Sequence, residues 1–92
     1  MKGLAGKVAL VSGGATTFGE AVVRAFAAAD VAVTVADIYE TGGDLVRELG
    51  DRAHFCRMDV QSDADVERAV TETIERFGGI DVLVNKIGRA HV

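Results

Sequence analysis

Short apolar runs alternate along this chain with segments whose apolar residues recur every three or four positions. Four runs have the length of buried strands and are rich in Val or Ala: residues 7–12, 31–36, 53–58 and 80–84. Helical periodicity occupies the intervals between them: residues 18–29, 40–49 and 62–77. The pattern therefore predicts the element order β-α-β-α-β-α-β.

Strands that alternate with helices form right-handed crossovers and a parallel sheet. The usual order of such a sheet is 3-2-1-4. We therefore predict an α/β fold, a Rossmann-like doubly wound parallel sheet that is truncated after its fourth strand. That strand would lie at an edge although it is as apolar as a central strand, so we expect it to need a neighbour.

Capping residues support these helix boundaries. Ser62 and Asp65 approximate a capping box at the start of the third helix, and Gly78 follows its last apolar residue. Asp30 follows the first helix, where Asp tolerates a left-handed backbone better than most residues do.

A glycine-rich connection joins the first strand to the first helix. Gly13, Gly14 and Gly19 allow a tight turn and the close approach of a ligand. The first N–H groups of a helix have no intrahelical partners and favour anions. The connection therefore predicts a diphosphate site, with a tight turn that binds nothing as the alternative. The pattern G-x-G-x-x-G is not matched, because Gly13 and Gly14 are adjacent.

Asp37 ends the second strand and follows Gly19 by 18 residues, close to the spacing of about 20 at which an acidic residue binds the ribose of a dinucleotide. Its carboxylate would repel a 2′-phosphate, so the sequence favours NAD over NADP. The alternative is that Asp37 only terminates the strand.

Residues 12–19 resemble the Thr-Gly-x-x-x-Gly-x-Gly turn of the short-chain dehydrogenase/reductase family. Ser12 stands for the Thr, Gly13 and Gly19 are the first and last Gly, and Thr17 replaces the middle Gly. A β-branched Thr17 would be strained at a positive φ, or its hydroxyl would reach a phosphate. The resemblance implies cofactor contacts from six residues of this turn: Ser12, Gly13, Thr16, Thr17, Phe18 and Gly19.

Three later positions extend the resemblance, which spans about residues 4–85. Asp59 and Val60 resemble the Asp-Val pair that contacts adenine in the family, with Asp59 acting through its carboxylate and Val60 through its backbone. Asn85 resembles the start of the Asn-Asn-Ala-Gly motif. NADP-using members often carry Arg or Lys at the positions of Thr16 and Ile38. The resemblance therefore implies an NAD site that includes Ile38, Asp59, Val60 and Asn85.

The family's catalytic Tyr-x-x-x-Lys pair has no counterpart here. The single tyrosine, Tyr39, is followed four positions later by Gly43. The resemblance implies that a longer parent protein transfers hydride between NAD(H) and a small alcohol or carbonyl, and we expect the 92-residue chain itself to be inactive. Two alternatives stay open, a nucleotide-binding module without catalysis and part of a Rossmann enzyme that binds S-adenosylmethionine.

Composition narrows the class of protein. The chain is 49% hydrophobic and 26% charged, with a net charge of −4 and a single cysteine, Cys56. These values indicate a globular protein of a reducing compartment, which we expect to be the cytoplasm, without a nucleic-acid or membrane partner. His54 and His91 have no ligand partners at metal-binding spacing, so no metal site is expected. The resemblance implies that the parent is a homo-oligomer.

Residues 86–92, KIGRAHV, break the resemblance after Asn85. A widely used sequencing-library adapter begins AGATCGGAAGAGCACACGTCTGA. When its first two bases complete a Lys codon, it translates as Ile-Gly-Arg-Ala-His-Val followed by a stop. We therefore expect residues 1–85 to be part of a dinucleotide-binding domain and residues 86–92 to be a non-native tail. The codon of Lys86 would be a hybrid of one base that precedes the adapter and two adapter bases.

The nucleotide sequence tests this origin of the tail. Codons 86–92 should carry the adapter bases, and the genomic copy should continue Asn-Ala-Gly after Asn85 and later encode a Ser and a Tyr-x-x-x-Lys. Other synonymous codons in the tail, or a genomic reading frame that stops after Val92, would contradict the hypothesis.

Overall fold

The computed structural model of the protein describes residues 3–85 and confirms the alternation of strands and helices. Its elements are β1 (Val8–Ser12), α1 (Thr17–Ala28), β2 (Ala32–Asp37), α2 (Thr41–Leu49), β3 (Ala53–Arg57), α3 (Asp63–Phe77) and β4 (Val82–Asn85). The predicted tail at residues 86–92, which includes His91, lies outside the described residues.

Hydrogen bonds explain where the strand boundaries differ from the prediction. β4 begins at Val82 rather than at residue 80, because Asp81 is bound to the start of β1. The Asp81 N–H donates to the Val8 carbonyl, and the Asp81 carboxylate accepts from the Val8 N–H at 2.9 Å. β2 begins one residue late, because the Val31 N–H donates to Phe26 at the end of α1.

The four strands are parallel and lie in the predicted order, β3-β2-β1-β4. Val11 of β1 is in register with Val35 of β2 on one side and with Val84 of β4 on the other. Within residues 3–85, β4 pairs only with β1, and Leu83 on it is 65% exposed. β1 and β2 are therefore the central strands of the sheet.

Both faces of the sheet are covered, as expected for near-continuous apolar strands. One face packs against α1 and α2 through a cluster of seven residues: Ala9, Val11, Val23, Val31, Val33, Val35 and Leu45. The other face packs against α3 through a second cluster: Leu10, Ala36, Cys56, Met58 and Ala69. Burial raises the pKa of the Cys56 thiol above its ordinary value, which agrees with a core cysteine.

The predicted helix ends are present. Asp30 adopts a left-handed backbone, with φ of 65°, after α1, and Gly78 does so, with φ of 94°, after α3. The Ser62 hydroxyl caps α3 by accepting a hydrogen bond from the Asp65 N–H at 3.2 Å. Local sequence signals therefore determine these boundaries.

A buried pair of threonines joins α3 to the sheet. Thr73 of α3 and Thr34 of β2 are both 0% exposed, and their hydroxyl oxygens lie 2.8 Å apart. The Thr73 oxygen also lies 2.7 Å from the Ala69 carbonyl. Because each hydroxyl has one proton, both contacts are satisfied when Thr34 donates to Thr73 and Thr73 donates to Ala69.

We expect the two threonines to be energetically coupled. Thr73→Val leaves the buried Thr34 hydroxyl without its acceptor, and should lower the free energy of unfolding by about 1–3 kcal/mol. In Thr34→Val/Thr73→Val both partners are apolar and similar in shape, so the loss should be clearly smaller than the sum of the single losses. Urea unfolding of the four proteins measures the coupling, and additive losses would contradict it.

Candidate cofactor site

Parallel strands bring their carboxyl ends to one edge of the sheet, and a cavity of about 510 Å³ opens there. Seven of the predicted site residues line it: Ser12, Gly13, Thr16, Asp37, Ile38, Asp59 and Val60. The lining also includes four residues that the sequence analysis did not select: Ala36, Tyr39, Met58 and Gln61. Each of these adjoins a selected residue in the chain, which is the signal that would have found them.

The other four predicted residues lie outside the lining of this cavity. Thr17 and Phe18 form the first turn of α1, and Gly19 follows them. Asn85 ends β4 in register with Ser12 of β1. They border the same edge of the sheet, so their predicted contacts with a cofactor stay predictions.

Gly14 in the β1–α1 loop and Gly19 in α1 lie too close to neighbouring residues to carry a side chain. A Cβ atom added at Gly19 would lie 2.0 Å from the Gly13 carbonyl oxygen, and one at Gly14 would lie 2.7 Å from Val35 Cγ1. Gly13 itself has a φ of 78°. The first turn of α1 therefore lies directly against the loop, at a distance that only glycine allows.

Thr16 closes this loop as the N-cap of α1. Its hydroxyl donates to the Gly13 carbonyl at 2.8 Å and accepts from the Gly19 N–H at 3.2 Å. Thr17 is the first helical residue, and Asp30 is the only non-glycine among residues 3–85 with a positive φ. The threonine at the family's middle glycine position is therefore accommodated here without the strain that a positive φ would bring.

Asp37 connects the end of β2 to the glycine loop. Its side chain is largely enclosed, with the residue only 6% exposed. Oδ2 accepts from the Ala15 N–H and Oδ1 from the Tyr39 N–H, both at 3.0 Å. Asp37 thus does more than terminate the strand. Since a carboxylate has about four acceptor positions, it can also accept ribose hydroxyl groups.

A side chain of α3 binds the Asp59–Val60 turn. The Asp59 N–H donates to Asp65 Oδ2 at 2.9 Å, whereas a capping box would direct this carboxylate to the Ser62 N–H. The Ser62 N–H donates to the Asp59 carbonyl instead. The predicted capping box is therefore correct for Ser62 and wrong for the side chain of Asp65.

Two hydrogen bonds keep the Asp65 carboxylate charged. The bond from the Asp59 N–H and then the bond from Arg68 hold the pKa of Asp65 below its ordinary value. The ionised form is the one that can accept both bonds.

The cavity lining contains two carboxylates, Asp37 and Asp59, and neither Lys nor Arg. An additional phosphate on the ribose would therefore meet negative charge without a cation to balance it. No group of three His, Cys, Asp or Glu side chains in residues 3–85 could hold a metal ion. His54 Nε2 lies 2.8 Å from Glu72 Oε1 and links β3 to α3, which is a structural contact.

None of the helices in residues 3–85 has the length and hydropathy that a membrane crossing requires.

Gly19→Ala is expected to disrupt the loop, because the added methyl group would overlap the Gly13 carbonyl. Removing this overlap requires α1 to shift. The free energy of unfolding should therefore fall by more than about 2 kcal/mol, in the upper part of the range for overpacking substitutions. The control is Gly43→Ala in α2, where the nearest atom is 3.7 Å away and alanine is the better helix former. Urea unfolding should show a loss for Gly19→Ala alone, and equal effects would contradict the close approach.

Comparison with known proteins gives the same family. The model of the family described as short chain dehydrogenase matches residues 7–92. The sex determination protein tasselseed-2 of Zea mays is 46% identical over 89 residues, which are 95% of this chain and 26% of that protein. The 3-alpha-(or 20-beta)-hydroxysteroid dehydrogenase of Mycobacterium bovis is 44% identical over 86 residues, which are 92% of this chain and 33% of that protein.

A solved structure shares the fold. The 3-ketoacyl-(acyl-carrier-protein) reductase of Brucella melitensis, complexed with NADH, is 34% identical with a TM-score of 0.84. The match covers 87% of this chain and 33% of that one. The chain thus spans about a third or less of the length of these proteins. The family match over nearly the whole chain shows that it belongs to the short-chain dehydrogenases.

Proposed function

We propose that this chain is the cofactor-binding N-terminal part of an NAD-dependent oxidoreductase of the short-chain dehydrogenase/reductase type. The observation that carries the proposal is the cavity in which the glycine loop and the ends of β2 and β3 meet, with Asp37 hydrogen-bonded to the loop. Residues 1–85 are then part of the dinucleotide-binding domain, and residues 86–92 are the adapter-encoded tail.

The residues at this cavity suit the adenosine diphosphate portion of a dinucleotide. Gly19 lets the N-terminus of α1 pack directly against the Gly13 carbonyl, and the helix dipole at that end favours a diphosphate. Asp37 would accept the ribose hydroxyls, and Asp59 with Val60 would border the adenine. The bound cofactor supplies hydride transfer, while these residues orient it.

Charge favours NAD over NADP. Asp37 is enclosed at the cavity, and the lining offers no basic residue near Thr16 or Ile38 to neutralise a 2′-phosphate. Asp37 is also held in place by hydrogen bonds from the N–H groups of Ala15 and Tyr39, so a 2′-phosphate bound beside it would meet its negative charge. The NADH-bound reductase is consistent with this preference.

The substrate is proposed to be a small alcohol or carbonyl compound, acted on by the complete protein. Support comes from relatives that are named as a hydroxysteroid dehydrogenase and a ketoacyl reductase. The family's Tyr-x-x-x-Lys pair is absent from the 92 residues, so the chemistry belongs to a longer product. We propose that this product is a cytoplasmic homo-oligomer.

We expect Asp37→Ala to weaken NAD binding in the complete protein by about 1–3 kcal/mol, because ribose hydroxyls and the Ala15 N–H lose their acceptor. The same change should relax the exclusion of NADP. The measurement is kcat/KM for the two cofactors. Asp51→Ala, which removes an exposed carboxylate from the loop before β3, is the matched control and should change neither value. A wild-type preference for NADP would contradict the assignment.

A further inference from the structure

Two side chains of α3 hold the polypeptide that leaves β3. Arg68 donates one hydrogen bond to the carbonyl of Arg57, the last residue of β3, and another to Asp65 Oδ1 at 3.0 Å. Asp65 Oδ2 accepts from the Asp59 N–H at 2.9 Å. The backbone between Arg57 and Asp59 is therefore bound at both ends to one ion pair.

This ion pair is not needed to begin the helix. The Ser62 hydroxyl already caps α3, and Asp63 in the same turn supplies negative charge to the helix N-terminus. The Asp65 carboxylate instead extends back past the N-cap to Asp59. Its side chain is 20% exposed, and that of its partner Arg68 is 45% exposed.

The segment held in this way is the part of β3–α3 that lines the cavity, from Met58 to Gln61. Asp59 uses Oδ1 to accept from the Gln61 N–H at 2.9 Å. Its N–H and carbonyl are also bound, to Asp65 and Ser62 respectively. Backbone and side chain of Asp59 are thus fixed before any ligand arrives, and Oδ2 has no hydrogen-bond partner within residues 3–85.

We propose that Asp65 and Arg68 are positioning residues for the adenine end of the cofactor, acting through Asp59. This inference rests on the proposed function. The carboxylate of Asp59 would accept a hydrogen bond from the exocyclic amino group of adenine, and the ion pair on α3 holds the backbone that carries this carboxylate. Neither Asp65 nor Arg68 lines the cavity itself.

Nicotinamide hypoxanthine dinucleotide tests the proposal, because its base carries a carbonyl oxygen in place of that amino group and a proton on the adjacent N1. A carboxylate held beside the base accepts from the amino group and repels the carbonyl. The wild-type complete protein should therefore bind NAD about tenfold more tightly than the analogue, the size of one charged hydrogen bond. Isothermal titration calorimetry gives both dissociation constants.

The variants separate positioning from general effects. Asp65→Ala should reduce the preference for NAD to about twofold or less, whereas Asp63→Ala, which removes the same charge from the same helix turn, should keep it. Asp65→Asn retains an oxygen that can accept a hydrogen bond from the Asp59 N–H. The preference of this variant for NAD over the analogue should therefore lie between those of the wild type and Asp65→Ala. If Asp65→Ala does not fold, Asp65→Asn and Arg68→Ala carry the comparison with Asp63→Ala.

The outcomes distinguish this inference from the proposed function. A wild-type protein that binds neither dinucleotide would overturn the proposed function itself. Equal binding of both, or an undiminished preference in Asp65→Ala and Arg68→Ala, would overturn the inference and leave the NAD assignment in place.

Discussion

The close contact between the start of α1 and the β1–α1 loop is the constraint on which the site depends. Gly19 lies so near the Gly13 carbonyl that no side chain fits between them. The Thr16 hydroxyl then bonds to both glycines and closes the loop. A tight turn of this kind places the helix N-terminus, the positive end of its dipole, beside the ends of the central strands.

Carboxylates hold the two walls of the cavity in place around this loop. Asp37 binds the loop from β2, and Asp65 binds the Asp59–Val60 turn from α3. In both cases a charged acceptor takes backbone N–H groups, which gives stronger bonds than a neutral acceptor would. The cavity is therefore shaped by the protein's own hydrogen bonds, and a ligand would enter a largely prepared site. Preparation of this kind reduces the entropy lost on binding.

The same bonds explain why one residue serves both structure and recognition. Asp37 is enclosed and bonded to Ala15 and Tyr39, yet it keeps acceptor capacity toward the cavity. Loss of its side chain would therefore affect the loop and the ribose together. This coupling would link the proposed preference for NAD to the conformation of the loop, because the carboxylate that would repel a 2′-phosphate is also the one that holds the turn.

Apolar periodicity, glycines and caps determined the element order and the parallel sheet, since these depend on local spacing. The rule that ligands bind at strand ends indicated the edge of the sheet where the cavity lies, and the family resemblance supplied most of the cavity residues. Asp30 and Ser62 behaved as their local chemistry predicts. Only the tertiary structure decided which backbone groups the carboxylates of Asp37 and Asp65 bind. Asp65 bonds to Asp59 instead of completing a capping box, because packing of α3 against β3 brings that N–H within reach, and no spacing in the chain encodes this distance.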